Sequence, residues 1–452
     1  MRRVHILLVD NSNIRGGIPL MTCTLANAMA ERGHRVTIYN QKPLPRLLLP
    51  LYKLAYALAK ASTPPGQRIL PPNSVHNLRE LYPLSRKVDL CFYTFTDDNL
   101  KVQQLRKKLR ELNPDVCLPM FGDARQLVWA VTLLGSGIPY LYTELCAPKI
   151  IETEFWSRKG RLAAMSGADR IHLLLPSFAD SVPDFLRDQV RVIPNAVPAV
   201  QGQANVRGIL GRPKRLLWLA RMDGLKQWYL VMKAFELIAP QFPDWELHMV
   251  GTGEASGAAA RCRRSLACRK RVVLHGSVAN AACHYRDAQL FCITSRSEGM
   301  PTTLLEAFAW GLPAVGFAEC DGVRDLIRHK ENGLLASPMT PRALSEALAT
   351  PMADAALRER MQQKALNAQK VYSPDATMDQ WEELFMETAE CKGHTVMDSF
   401  SEEPFASQAR LSSVVRREWL YRDFGVPMPG ALIRYIWPMV VAAQRLLRIK
   451  KK

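Results

Sequence analysis

Residues 289–317 read QLFCITSRSEGMPTTLLEAFAWGLPAVGF, and no other stretch narrows the fold so far. The apolar run 290–294, bounded by polar residues, predicts a short buried strand. Residues 295–301 form a turn, shaped by one Gly and one Pro. Thr302 or Thr303 then offers a hydroxyl N-cap to a helix over 304–310, which Gly311 to Pro313 ends. Residues 314–317 begin the next strand. Strand, polar loop, helix and strand leave unpaired N–H groups at a helix N-terminus, where an anion is well held. Two carboxylates stand in this frame, Glu298 in the loop and Glu306 in the helix. The rest of that helix is apolar, and an unpartnered carboxylate buried there would be costly.

The same rhythm opens the chain. Residues 4–10, VHILLVD, predict a strand. A turn through Gly16 and Gly17, a helix over 18–32 and a strand over 35–39 follow. Such β-loop-α-β order implies a parallel, doubly wound sheet with ligands at the carboxyl ends of its strands. Further strands are predicted at 88–95, 115–121, 138–143, 170–176 and 191–197. A second series starts at 215–221 and continues at 247–250 and 272–276, with later helices over 341–350 and 353–370. At 452 residues the chain exceeds one ordinary core. Residues 1–198 read as one Rossmann-like domain and 199–372 as a second, with 198–212 as linker. Ser373, Pro374 and Asp375 start a helix over 373–390, with hydroxyl cap, Pro in the first turn and an acid beside it. Residues 391–452 form an extension.

Composition bounds the partners. Sixty Lys and Arg against 42 Asp and Glu leave a net charge of +18, which attracts anions. No zinc-finger or RNA-recognition signature points to nucleic acid. Ten Cys without CxxC pairs fit a reducing, cytoplasmic compartment. Met1-Arg-Arg runs straight into a strand, so no signal peptide is expected, and no apolar run is long enough to span a bilayer. Two segments, 44–60 and 431–452, combine apolar and basic residues without an acid. For each, an interfacial contact with an anionic membrane surface stands beside packing on the first domain. The basic run 261–271 reads by default as a solvated helix face, with contact to an anionic membrane as the alternative. Gly251, Gly253 and Gly257 miss the dinucleotide spacing by one position, which argues against NAD.

Glu298-Gly-Met-Pro-Thr-Thr-Leu-Leu-Glu306 resembles the E-x7-E signature of glycosyltransferase family 4, retaining enzymes of the GT-B fold. The resemblance covers about residues 1–390. It implies an α/β architecture of two Rossmann-like doubly wound domains facing across a cleft, followed here by a basic amphipathic C-terminal tail. By resemblance, Glu298 contacts the donor sugar and Glu306 holds the nucleotide ribose. The backbone of Gly299, Met300 and Pro301, with Thr302, would face the sugar and its phosphates. Arg221 and Lys226 stand where the family grips the donor diphosphate. The chain has no DxD carboxylate pair, so these fixed cations, not a metal, are expected to neutralise the leaving nucleotide. Gly16 and Gly17 resemble the family's N-terminal glycine loop, although a purely structural turn fits their spacing equally. RVIPNAV at 191–197 is similar to the family's V-I-P-N-G-V segment. At Glu144 and Leu145, where many relatives place a His, there is none, and Glu144 reads as a hydrogen-bonding group or a strand-end cap. Asp325 replaces a more usual Glu. His275 lies on the strand whose following loop sits near the nucleotide base, or is merely hydrogen-bonded in place. The function implied is transfer of a sugar from a nucleotide-sugar to a lipid-linked saccharide or glycolipid, in cell-surface polysaccharide or lipopolysaccharide biosynthesis. No cofactor is implied, and the place is the cytosolic face of a membrane. The other class open to this sequence is a non-catalytic nucleotide- or glycan-binding scaffold.

Overall fold

A computed structural model describes residues 2–10, 17–41, 78–93, 98–121, 125–155, 158–197 and 200–391. Gly16, the segments 43–60 and 64–72, and the tail after residue 391 lie outside the described residues.

The first sheet holds β1 (His5–Asp10), β2 (Arg35–Gln41), β3 (Val88–Tyr93) and β4 (Val116–Pro119) in the order β3-β2-β1-β4, all parallel. Every residue of β1 and β4 is buried, as unbroken apolar strands are when helices cover both faces. A parallel bridge from Cys117 to Tyr140 joins it to β5 (Leu141–Glu144), β6 (Arg170–Leu173) and β7 (Val190–Val192).

The second sheet runs β10-β9-β8-β11-β12-β13, again all parallel. Its strands are β8 (Lys214–Leu219), β9 (Trp245–Val250), β10 (Val272–Gly276), β11 (Leu290–Cys292), β12 (Ala314–Phe317) and β13 (Gly333–Ala336). Strand order reverses between β8 and β11, and a crevice opens at the carboxyl ends on either side of such a switch. The loops after β8 and β11 carry Arg221, Lys226 and Glu298. With the two sheets, this is the GT-B architecture.

Helix Pro374–Glu390 follows the second domain in sequence but completes the core of the first. Trp381, Leu384 and Phe385 pack with Val4, Ile6 and Leu8. Trp381 stacks on His172, ring centroids 4.4 Å apart. Arg32 and His34 bind Glu382, while Arg170 and Arg191 flank Glu387. Ser373 caps it as predicted, its hydroxyl accepting the Ala376 N–H at 3.2 Å.

Several expectations need correction. The helix after the E-x7-E loop begins at Thr302, capped by Pro301, and neither Thr302 nor Thr303 makes a side-chain cap. Pro301 already carries the extended backbone that a cap requires, and its carbonyl accepts from Leu304 and Leu305. The helix expected over 353–370 is two, Ala355–Leu366 and Ala368–Val371, because Asp354 caps the Leu357 N–H at 2.9 Å and Asn367 breaks the run. The basic run 261–271 is not uniformly solvated. Arg263 donates to the Val272 carbonyl, and Arg271 donates to the carbonyls of Ala239, which caps helix Trp228–Ile238, of Phe242 in the loop after it, and of Trp245 at the start of β9. Residues 204–206, expected in a linker, belong to the second domain. Ala204 and Val206 are buried, and their carbonyls accept from Gln362 and Arg358. Strands are shorter than the apolar runs: Met120 and Phe121 follow β4 and stay buried, and the Met120 N–H makes the final bond to β1, at 2.7 Å to the Val9 carbonyl.

Candidate active site

Asp223 shapes the turn after β8. Its Oδ1 accepts the N–H groups of Leu225 and Lys226, each at 3.0 Å, an Asx-type closure. Trp218 Nε1 donates to Thr294 Oγ1 at 2.9 Å, and Thr294 donates onward to the Lys226 carbonyl at 2.8 Å. Gln227 follows in the left-handed region, φ 44°, a strained conformation for a non-glycine residue. The turn is thus fixed from both sides, and it aims Lys226 at the next loop.

There Lys226 Nζ meets Glu298 Oε1 at 2.5 Å, and Ser295 Oγ donates to the same oxygen at 2.5 Å. The two predicted charges from different loops are therefore in direct contact. Arg221 is mostly exposed and pairs with Asp223 Oδ2 at 3.0 Å. Gly251 and Gly253, at the turn after β9, have no room for a side chain. A Cβ would lie 2.0 Å from the Ala220 carbonyl oxygen in one case and 2.4 Å from that of Met222 in the other. These glycines let the β9 turn lie directly against the Arg221 turn, which accounts for the near-dinucleotide pattern.

Gly299 is clasped between domains. A Cβ there would meet the Leu145 carbonyl oxygen at 2.6 Å, and a Cβ on Gly322 would meet the Gly299 carbonyl oxygen at 2.2 Å. Next to it, Asn195 Nδ2 donates to the Met300 carbonyl at 2.9 Å. Thr302 is exposed at the helix start, and no acceptor among the described residues takes its N–H. Glu306, one turn further, accepts from Tyr285 Oη at 2.6 Å. Burial pushes the Glu306 carboxyl above the usual carboxylate range, against the opposing hydrogen bond from Tyr285.

The remaining candidates sit elsewhere. Gly17 begins helix Gly17–Glu31, with nothing near its missing Cβ. Glu144 is buried and accepts both Arg161 Nε at 2.6 Å and Nη2 at 2.9 Å, with Tyr142 Oη at 2.7 Å. It is an internal ion pair of the first domain. His275 Nε2 lies 3.0 Å from His248 Nδ1, and its ring touches His284. Burial first, then the charges of His248, His284 and Arg215, lower its pKa to about 4. Sequence reading did not single out Asp223, Ser295, Asn195 or Tyr285. Asp223-Gly224 is a turn signal that could have exposed the first, and Asn195 stands inside the RVIPNAV segment at 191–197; Ser295 and Tyr285 have no local pattern.

Residues 213–354 match the family model Glycosyl transferases group 1. They form a glycosyl transferases group 1 domain. Every strand of the second sheet lies inside that span, and so do Arg221, Lys226, Glu298 and Glu306. An uncharacterized glycosyltransferase of Haemophilus influenzae is 22% identical over 381 residues, 84% of this chain and 99% of that protein. A Campylobacter jejuni protein is 21% identical over 302 residues, 67% of this chain and 82% of its own length. That protein is the GalNAc-alpha-(1->4)-GalNAc-alpha-(1->3)-diNAcBac-PP-undecaprenol alpha-1,4-N-acetyl-D-galactosaminyltransferase. Among solved structures, Anabaena HepE in complex with UDP superposes with a TM-score of 0.65 at 15% identity, over 85% of this chain and all of that one. Similarity to a glycosyltransferase thus runs over nearly the whole Haemophilus protein, while the family match is confined to the second domain.

Proposed function

We propose that the chain is a retaining, metal-independent glycosyltransferase of family 4, moving a hexosyl group from a nucleotide-sugar to a lipid-linked saccharide or glycolipid. The contact between Lys226 and Glu298 at the strand-order switch carries this reading, because it puts a fixed cation and a sugar-binding carboxylate in one place. UDP in the fold neighbour and an undecaprenol-linked acceptor in the Campylobacter relative support a nucleotide donor and a lipid acceptor.

In this mechanism the bond between the anomeric carbon and the diphosphate oxygen breaks first, and the nucleotide takes the electron pair. The acceptor hydroxyl enters from the same face and gives its proton to the departing phosphate. Lys226, Arg221 and the N-terminus of helix Thr302–Ala309 stabilise the charge that develops there, the kind of preorganised donor that lowers a barrier. Glu298 orients the sugar. Gly16, Gly17 and the backbone of Gly299, Met300 and Pro301 let the donor approach closely. The place is the cytosolic face of a membrane, in cell-surface glycan assembly. Among the described residues no helix is long and apolar enough to cross a bilayer; the segments 44–60 and 431–452, apolar and basic without an acid, lie outside the described residues and are the proposed contact on composition alone.

The test is an NMR screen of UDP-, GDP- and ADP-sugars, in excess chelator, for transfer or slow hydrolysis. The expected result is turnover of one donor with its anomeric configuration kept, abolished by Glu298→Gln. An inverted product, or turnover that needs added magnesium, refutes the mechanism. Absence of turnover with all donors favours the non-catalytic scaffold.

A further inference from the structure

We infer that Tyr285 is a positioning residue for Glu306: it pins one carboxylate oxygen so that the other presents a fixed acceptor to the ribose diol of the bound nucleotide. This rests on the reading of Glu306 as the ribose-binding group and names what makes that group work.

Tyr285 lies in helix Ala282–Asp287, just ahead of β11, and its side chain is buried against Phe291 with ring centroids 6.0 Å apart. Its hydroxyl reaches across to helix Thr302–Ala309, 2.6 Å from Glu306 Oε2 and 3.3 Å from the Thr303 carbonyl oxygen. The first distance is that of a strong, charge-assisted hydrogen bond and the second is marginal. Among the described residues Glu306 has no other hydrogen-bond partner, and its Oε1 is unassigned. Oε1 is not among the buried unpaired atoms, so it faces open space from a residue that is itself half-buried, where an arriving hydroxyl donor can displace water from it.

The chemistry needs such a restraint. The last torsion of a Glu side chain is broad and two-fold, so a carboxylate held only by its own chain sweeps through many planes. A ribose presents two hydroxyl donors at a fixed separation and needs one plane. A phenol suits the task because burial and the neighbouring Glu306 charge raise its pKa well above the ordinary tyrosine value. It therefore stays a donor. A lysine or arginine at this place would instead neutralise the carboxylate and compete with the ribose for it.

Calorimetric titration of the full chain tests the inference. UDP, GDP and ADP are compared, and the tightest binder is carried forward with its 2′,3′-dideoxy counterpart. The unmodified protein is expected to bind the dideoxy form roughly 10-fold or more weaker, the worth of a hydrogen bond to a charged group. Tyr285→Phe keeps the ring and removes the donor. It should weaken the ribose form by about 10-fold and leave the dideoxy form unchanged, so that discrimination collapses. Tyr285→Met, equally without a donor, replaces it should the phenylalanine variant not fold. Full discrimination in the Tyr285 variant, with discrimination lost in Glu306→Gln, overturns the positioning role alone. Equal weakening of both ligands overturns it too, by showing a general packing effect. Discrimination retained in Glu306→Gln, or no binding of any of the three nucleotides, overturns the underlying ribose reading instead.

Discussion

Replacing Lys226 by Met removes the cation and keeps most of the stem. The pair it breaks spans 2.5 Å, with side chains 19% and 13% exposed. At an effective dielectric near 20 the Coulomb attraction at that separation is roughly 7 kcal/mol before desolvation is subtracted. Taking one partner from a fully buried pair costs about 3–5 kcal/mol. Here Ser295 still donates to Glu298 and some water reaches it, so we expect about 2 kcal/mol, or roughly 4–8 °C in the melting temperature of a domain this size. Adding Glu298→Gln leaves no unpaired charge, and the double variant should recover most of that loss. Activity should not recover. Each single variant and the double should lose about 10²-fold or more in kcat, as when one preorganised electrostatic donor is removed. Thermal unfolding and initial rates with the active donor, on all four proteins, separate the two effects. A double variant that regains both stability and turnover shows that the pair is scaffolding, and the leaving-group assignment falls with it.

Gly299→Ala should cost about 1–3 kcal/mol of stability, as overpacking does, and raise the donor KM, because Leu145 blocks the new Cβ on one side and Gly322 supports the loop on the other. A melting curve and KM like those of the unchanged protein would rule out the clasp. Glu144→Gln should lower stability by about 1–3 kcal/mol, because the buried Arg161 loses its two-pronged partner but keeps Glu152 at 2.8 Å and Ser181. Donor affinity at a permissive temperature should be unchanged; a selective loss of affinity would return Glu144 to the site. Helix Pro374–Glu390 should lose hydrogen-exchange protection in acid. Burial lowers the His172 pKa from 6.5 to about 4, so its stabilising contribution is complete above 6.5 and is lost as pH falls toward 4. Burial pushes the Glu382 and Glu387 carboxyls up, but bonds from Arg32 and His34, and from Arg191 and Arg170, hold both below the ordinary 4.5. Their contribution is lost only below that value, and protection that stays flat from pH 7 to 4 refutes the account.

What the sequence disclosed followed from periodicity and turns. Apolar runs separated by polar loops mark parallel strands and their order along the chain, and Ser373-Pro374-Asp375 carries its own capping chemistry. Lys226 and Glu298 were readable as candidates, because each stands in a loop after a predicted strand. Their contact was not, since it depends on β8 and β11 lying side by side across 72 positions. Tyr285 and Asn195 reach their partners through tertiary packing; Tyr285 has no local signature, and RVIPNAV marks Asn195 without disclosing its bond to Met300. Glu144 was ambiguous for the same reason. Glu144 ends strand β5, and its partner Arg161 is 17 positions away on helix Arg158–Ser166, so nothing in IPYLYTELC points to it. The Thr302 cap failed differently. A hydroxyl before a helix is a good general signal, but the preceding Pro301 already had the right backbone and moved the start by two residues.

One loop, residues 295–301, ties the proposed chemistry to the relation between the domains. On its second-domain side it holds Glu298 against Lys226; on its first-domain side Gly299 lies against Leu145 and Met300 accepts from Asn195. Ser177 also bonds Asp325 across the same seam. A donor sugar that engages Glu298 must share that carboxylate with Lys226, which frees part of the lysine's charge for the diphosphate. The loop cannot move freely to accommodate it, because Gly322 stands behind and Leu145 in front. Any shift of Glu298 therefore presses on the first domain through Gly299 and Met300. Linkage then works in both directions: whatever changes the domain approach changes donor affinity, and donor changes the approach by the same free energy. On the proposed reading, Glu298, Gly299 and Met300 of one turn would couple sugar binding to the position of the domain that receives the acceptor.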